Sequence, residues 1–266
     1  MSLKEEMLKS MGYARSYGVR LDKRRLRERW ISKEERKEEE IEKVIEKNKE
    51  MLGVEGEGEE IYKEKMRVAE KVAKRIAFIF RDILVIGVTG SVSSEYPGEE
   101  DDIDLMIILR EETLWKNRFW LRVVVFVLGI KHRKAGVKGK KNEFCFNLWL
   151  DEGSLLIPKE KRSLKNAMDL VMTKVIINRE ACYERYWKKN EWVGDYLKSE
   201  YVRRGREYEK GERRRKRYGK MRRLVRRFFN EVYFWPQYLY MKKGMRGELV
   251  NRKMAFFHPS SNNLIE

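Results

Sequence analysis

The sequence predicts an α+β fold, a mixed sheet packed by helices with helical additions at both ends. Three observations carry that prediction. Apolar runs of strand length stand at 83–88, 102–109 and 143–150, each bounded by polar or glycine-containing segments. Between and before them, apolar residues recur at helical spacing over 61–80 and fill 113–129. Both ends of the chain are charged and read as helix without strand-like alternation.

The first region, residues 1–58, carries two weakly amphipathic stretches. Ser32-x-x-Glu35 reads as a capping box that opens a helix toward Leu52, and Gly53-Val-Glu-Gly-Glu-Gly58 then breaks it. Short helices and a turn admit a small winged-helix-like module or a plain helical prop. No basic recognition helix is in view there.

The second region, 59–158, is the predicted core. Ile61, Val68, Ala69, Val72, Ala73, Ile76 and Phe80 share one face of a helix. The strand at 83–88 ends in Val88-Thr-Gly90-Ser91, a small-residue turn. The next strand carries Asp102 and Asp104 at i and i+2, so both carboxylates leave one face while Ile103, Leu105, Ile107 and Leu109 bury the other. Trp115–Ile130 is too short and too interrupted to cross a bilayer and reads as a buried helix. Lys131–Asn142 is a polar loop. On the strand 143–150, alternation puts Phe144, Phe146, Leu148 and Leu150 on the core and Glu143, Cys145, Asn147, Trp149 and Asp151 opposite. Strand–turn–strand–helix–strand implies a mixed sheet.

The third region, 159–266, reads as helical. Leu164, Ala167, Met168, Val171, Met172 and Val175 form one stripe; Tyr218, Met221, Val225, Phe228 and Val232 form another, which Pro236 ends or kinks.

Composition limits function. Lys+Arg 61 against Asp+Glu 43 gives +18, and the arm 203–227 alone supplies 14 Lys/Arg against 3 Glu. An acidic partner is expected, such as RNA or another polyanion. Arg213, Arg214, Arg215, Lys216 and Arg217, with Tyr208 and Tyr218, suit phosphate contacts and base stacking. Membrane attachment through the arm ranks lower, because the sequence shows no lipidation motif or strongly amphipathic basic helix. Cys145 and Cys182 are too few for a disulfide framework, and His132 and His258 add no zinc pattern. Together with a charged N-terminus, this points to the cytoplasm. Oligomeric state is open.

Gly90-Ser91 followed by Asp102-x-Asp104 resembles the signature of the nucleotidyltransferase superfamily, the polymerase-β-like fold. Asp101-Asp-Ile-Asp-Leu-Met-Ile-Ile, Leu114-Trp, Phe144-Cys-Phe-Asn-Leu-Trp-Leu, Asn190-Glu-Trp-Val and Ala255-Phe-Phe-His-Pro259 are similar to a group of uncharacterised prokaryotic nucleotidyltransferase-domain proteins. The resemblance implies a mixed nucleotidyltransferase-fold sheet. It implies Gly90 and Ser91 on a nucleoside triphosphate's phosphates, and Asp102 and Asp104 as catalytic ligands of Mg²⁺ (or Mn²⁺). Transfer of a nucleotidyl group to a hydroxyl acceptor would follow. Active relatives usually add a third carboxylate on a following strand. The central position of the matching strand here is Asn147, which can ligate but cannot act as a base; Glu143 or Asp151 on the same face could substitute only in a different register. The alternative is a catalytically reduced module that senses nucleotide or binds RNA. Lys131, Arg133, Lys134, Lys138, Lys140 and Lys141 could steer the triphosphate or an RNA acceptor, or form a solvated loop; Glu95, Ser93 and Ser94 lie in the connecting loop, where solvation is the default and contact with the nucleotide the alternative.

Overall fold

Strand β1 (Ile83–Thr89) is buried along its whole length, as its run of Ile, Leu and Val requires. In the computed structural model it is a central strand of a six-stranded mixed sheet, in the order β4-β1-β2-β3-β6-β5. The structure describes residues 1–54, 56, 58–133, 141–209, 219–245 and 247–257. β2 (Ile103–Leu109) pairs antiparallel with β1, and β3 (Phe144–Asp151) pairs parallel with β2. A parallel neighbour needs a crossover, and the helix over Leu114–Val127 supplies it.

The chain is α+β, as expected. Helices α1 (Leu3–Arg15), α2 (Lys23–Glu28) and α3 (Glu38–Lys47) precede α4 (Glu59–Ile79) and β1. A one-turn helix α5 (Gly90–Ser93) follows β1, and α6 (Leu114–Val127) links β2 to β3. Then come α7 (Leu164–Met172), β4 (Lys174–Asn178), α8 (Cys182–Lys189), α9 (Lys198–Glu209), α10 (Lys220–Lys242), β5 (Leu249–Asn251) and β6 (Met254–Phe256).

Each face of the sheet buries its own core. One holds Leu84, Met106, Ile108 and Leu150 against α7, α8 and the Trp187–Trp192 segment. The other holds Ile86, Ile107 and Trp149 against Ala73 and Ile76 of α4, Leu121 of α6 and Phe234 of α10. The three N-terminal helices enclose a smaller core around Met7, Leu26, Trp30 and Ile45.

Several elements differ from the sequence expectation. The helix foreseen from Ser32 starts at Glu38, because Ser32 is spent on tertiary contacts. Its Oγ donates to Glu6 Oε1 at 3.0 Å, and its backbone bridges to Leu197. The third region is not wholly helical: it contributes three of the six strands. Val175 belongs to β4 and pairs with Gly87. Helix α10 runs through Pro236 to Lys242. Proline cannot donate to the carbonyl one turn back, and Gln237 Nε2 bonds the Tyr233 carbonyl beside it at 2.8 Å. No helix among the described residues is long and apolar enough to cross a membrane.

Candidate metal and phosphate site

Where β1 ends, its last residue, Thr89, lies opposite Asp104 on β2. Gly90 then turns with φ +71, a conformation that L side chains rarely adopt. A Cβ at Gly90 would also overlap Asp104 Oδ2 and lie 3.4 Å from Asp104 Cβ. Glycine is demanded twice, by the dihedral and by the carboxylate. Ser93 Oγ donates to the Gly90 carbonyl at 2.9 Å and closes the turn. Half-buried Ser91 follows in the turn, and its hydroxyl makes no hydrogen bond among the described residues.

Asp102 and Asp104 come together as alternation on β2 requires, and Cys145 joins them from β3. Cys145 is the register partner of Asp104, and ligand atoms of Asp102, Asp104 and Cys145 all lie within 4.8 Å of one another. Asn147, the possible third position, meets Thr89, the register partner of Asp104. The register steps from Leu105↔Phe146 to Met106↔Leu148, so Asn147 is the extra residue of a bulge. Its Nδ2 donates to Thr89 Oγ1 at 3.3 Å. The bulge also inverts parity along β3. Phe144, Phe146 and Trp149 share one core while Leu148 and Leu150 enter the other, so the single alternation expected over 143–150 does not hold.

Of the other acids, Asp151 lies at the far end of β3, where its oxygens accept from the Gly153 and Glu112 amides at 2.7 Å each. Asp101 accepts from the Gly98 amide at 3.0 Å in the loop. Glu95 is not a solvated loop residue. It is buried with φ 60, takes Lys174 Nζ at 2.7 Å, and pairs with Arg24 and Arg25 of α2. Arg29 donates to the Ser94 carbonyl, and Arg25 lies 4.1 Å over the Tyr96 ring. The N-terminal helices therefore grip the loop between β1 and β2.

Electrostatics sharpen the picture. Burial, then the charge of Asp102, pushes the Asp104 carboxyl up to about 7. Half-buried Asp169 on α7 raises it further and is itself pushed up to about 6 by burial. Burial and neighbouring Asp104 raise the Cys145 thiol well above its ordinary value. Arg133 Nη1 meets Asp102 Oδ2 at 3.0 Å, brought there because the Arg133 amide bonds the Phe144 carbonyl beside β3. For Glu95, burial alone would raise the carboxyl, but hydrogen bonds from Arg24 and Lys174 hold it down at about 2.

The structure thus unites Gly90, Ser91, Asp102 and Asp104 at one end of the sheet and seats Asn147 on Thr89 nearby. Sequence reading missed Cys145 as the third corner, Asp169 as a neighbour and Glu95 as a buried hub. Arg213–Arg217, Lys134, Lys138, Lys140 and His258 lie outside the described residues.

No family model, curated protein or solved structure matches the chain.

Proposed function

We propose that the chain binds a divalent cation and the phosphates of a nucleoside triphosphate, and transfers the nucleotidyl group to a hydroxyl acceptor. The observation that carries this reading is the glycine turn pressed onto the Asp104 carboxylate, with half-buried Ser91 the next residue of that turn. A glycine so placed sets the turn, and Ser91 next in the chain, directly against one of the two acids. Phosphoryl chemistry needs positioning and charge neutralisation more than covalent help.

The donor set fits a divalent cation. Two carboxylates converge, and one is held near neutrality by burial and by the other's charge. Asp102 and Asp104 would hold Mg²⁺ or Mn²⁺, which supplies charge neutralisation at the acceptor oxygen and the leaving pyrophosphate. Sulfur at Cys145 suits Mn²⁺ better than Mg²⁺. Ser91 would orient phosphate oxygens, and Arg133 would fix the Asp102 carboxylate. In the transfer, a bond forms from the acceptor oxygen to the α-phosphorus while the bond from that phosphorus to the bridging oxygen of the β-phosphate breaks, and the acceptor hydroxyl's proton passes to water. Pyrophosphate leaves.

A second reading, a reduced module that senses nucleotide or holds RNA, is favoured by two features. Cys145 occupies the corner where a third acid would stand, and Arg133 already neutralises Asp102. Arg213–Arg217 would serve polyanion binding in either reading.

Thermal unfolding with a triphosphate and Mn²⁺ tests the proposal. Stabilisation of the wild-type chain that vanishes in Asp102→Asn/Asp104→Asn supports it; equal shifts in both proteins refute the site. Release of pyrophosphate over a panel of acceptors separates enzyme from sensor.

A further inference from the structure

The helix pair α6 and α10 covers one face of the sheet but leaves its own outer side bare. On α10, Met221, Val225, Phe228, Val232, Trp235 and Leu239 recur every three or four residues along one side of the helix, and all are exposed. The helix is 23 residues long, so the stripe extends for roughly 30 Å. Beside it, Val123, Phe126 and Val127 of α6 turn outward, with Phe126 77% and Val127 74% exposed. A groove of about 740 Å³ runs between the helices, floored by Phe119, Val232 and Pro236. Monomeric proteins rarely leave so large a continuous apolar surface in water.

Charge decides what covers it. The two helices carry nine Lys and Arg and a single acid, Glu231, which is already paired with Arg252 at 2.6 Å. Arg223 and Arg226 turn inward to Glu111 and Asp82. Exposed Arg222 and Arg227 project from the two flanks of the apolar stripe, about a quarter to a third of a turn from its centre. A second copy on this face would bring the same cationic flanks, with Glu231 the single acid the two helices offer. An anionic surface with an apolar interior answers both features.

We propose that the outer face of α6 and α10 docks in plane on a bilayer containing anionic phospholipid. Phe126, Phe228 and Leu239 enter the acyl boundary, and Trp120, Trp235 and Tyr240 sit at headgroup depth, where amphipathic rings settle. Arg222 and Arg227 reach phosphates from the flanks. Helix α10, whose apolar stripe is already visible in the sequence, is the amphipathic basic helix that was not expected beside the arm. This docking is independent of the nucleotide reading, since the face belongs to the far side of the sheet from Asp104.

Co-sedimentation of the full chain with vesicles of phosphatidylcholine and phosphatidylglycerol tests the inference, against phosphatidylcholine alone. The chain should sediment with the anionic vesicles only. Phe228→Glu/Trp235→Glu, both at exposed positions, should weaken binding at least about tenfold while circular dichroism and thermal unfolding stay unchanged. Arg222→Glu and Arg227→Glu should each cost about fivefold in affinity. Brominated acyl chains should quench tryptophan fluorescence, less so in Trp235→Phe. Binding that ignores Phe228→Glu/Trp235→Glu would overturn the proposal, placing lipid contact elsewhere. So would failure to bind anionic vesicles, including the case of a wild-type dimer that those substitutions dissociate, which assigns the face to a second copy.

Discussion

Gly90 and Asp104 are matched so closely that Gly90 cannot gain a side chain while Asp104 keeps its own: the missing side chain of one is the space occupied by the carboxylate of the other. Gly90→Ala should cost about 1–3 kcal/mol, read as a fall in thermal midpoint, and should remove the stabilisation by triphosphate and Mn²⁺. Asp104→Ala in the same chain relieves the overlap but not the positive φ. The double variant should therefore recover part of the loss, a non-additivity that a double-mutant cycle measures directly.

Asp104 also sets a pH dependence. Its folded pKa of about 7 stands above the ordinary 3.8, so between about pH 4 and pH 7 the folded chain keeps a proton that the unfolded chain has released. Stability should fall as pH rises through that window. Asp104→Asn should flatten the slope and exceed the wild-type chain at pH about 8 by on the order of 2 kcal/mol, with no advantage near pH about 4. Some slope should persist from Asp151, which burial also raises to about 7. Denaturant midpoints across pH give the answer; a variant that tracks the wild type at every pH contradicts the assignment.

At Glu95 the sign is opposite. Its carboxyl lies at about 2, below the ordinary 4.5, so the stability it lends is present above that value and lost as acid approaches pH about 2. Glu95→Gln leaves buried Arg25 and half-buried Lys174 facing an amide. A loss of about 3 kcal/mol is expected, with faster hydrogen exchange across α2 as a local readout.

Cys145 offers a test of metal choice. Mn²⁺ should stabilise the wild-type chain more than Mg²⁺, because one of three donors is sulfur. Cys145→Asp should reverse that order and raise any pyrophosphate release. Equal responses to both ions in both proteins would mean that the thiol is not a donor.

Much of this arrangement was legible in the residues. Period-2 alternation put Asp102 and Asp104 on one face, and the three apolar runs gave β1, β2 and β3 within a residue or two. Parity failed at Asn147, because a one-residue bulge leaves no mark in a strand whose two faces are both apolar. Strand β4 was hidden for a related reason: Val175 continues the helical spacing of α7, and only pairing with Gly87 pulls it into the sheet. The Glu95 cluster joins residues some 70 to 79 positions apart, beyond the reach of any local pattern. The short strands β5 and β6 have only three residues each, too few for alternation to register.

The order β4-β1-β2-β3-β6-β5 has a consequence for how the molecule comes into being. The strands that carry the acids are complete once residue 151 has left the ribosome, yet both of their borders are supplied by later chain. Until residues 174–178 and 254–256 emerge, the nascent sheet has two bare, apolar edges. Its window of exposure to wrong pairing thus lasts until residue 256 has emerged, and only then do the strands that carry the acids have neighbours on both sides.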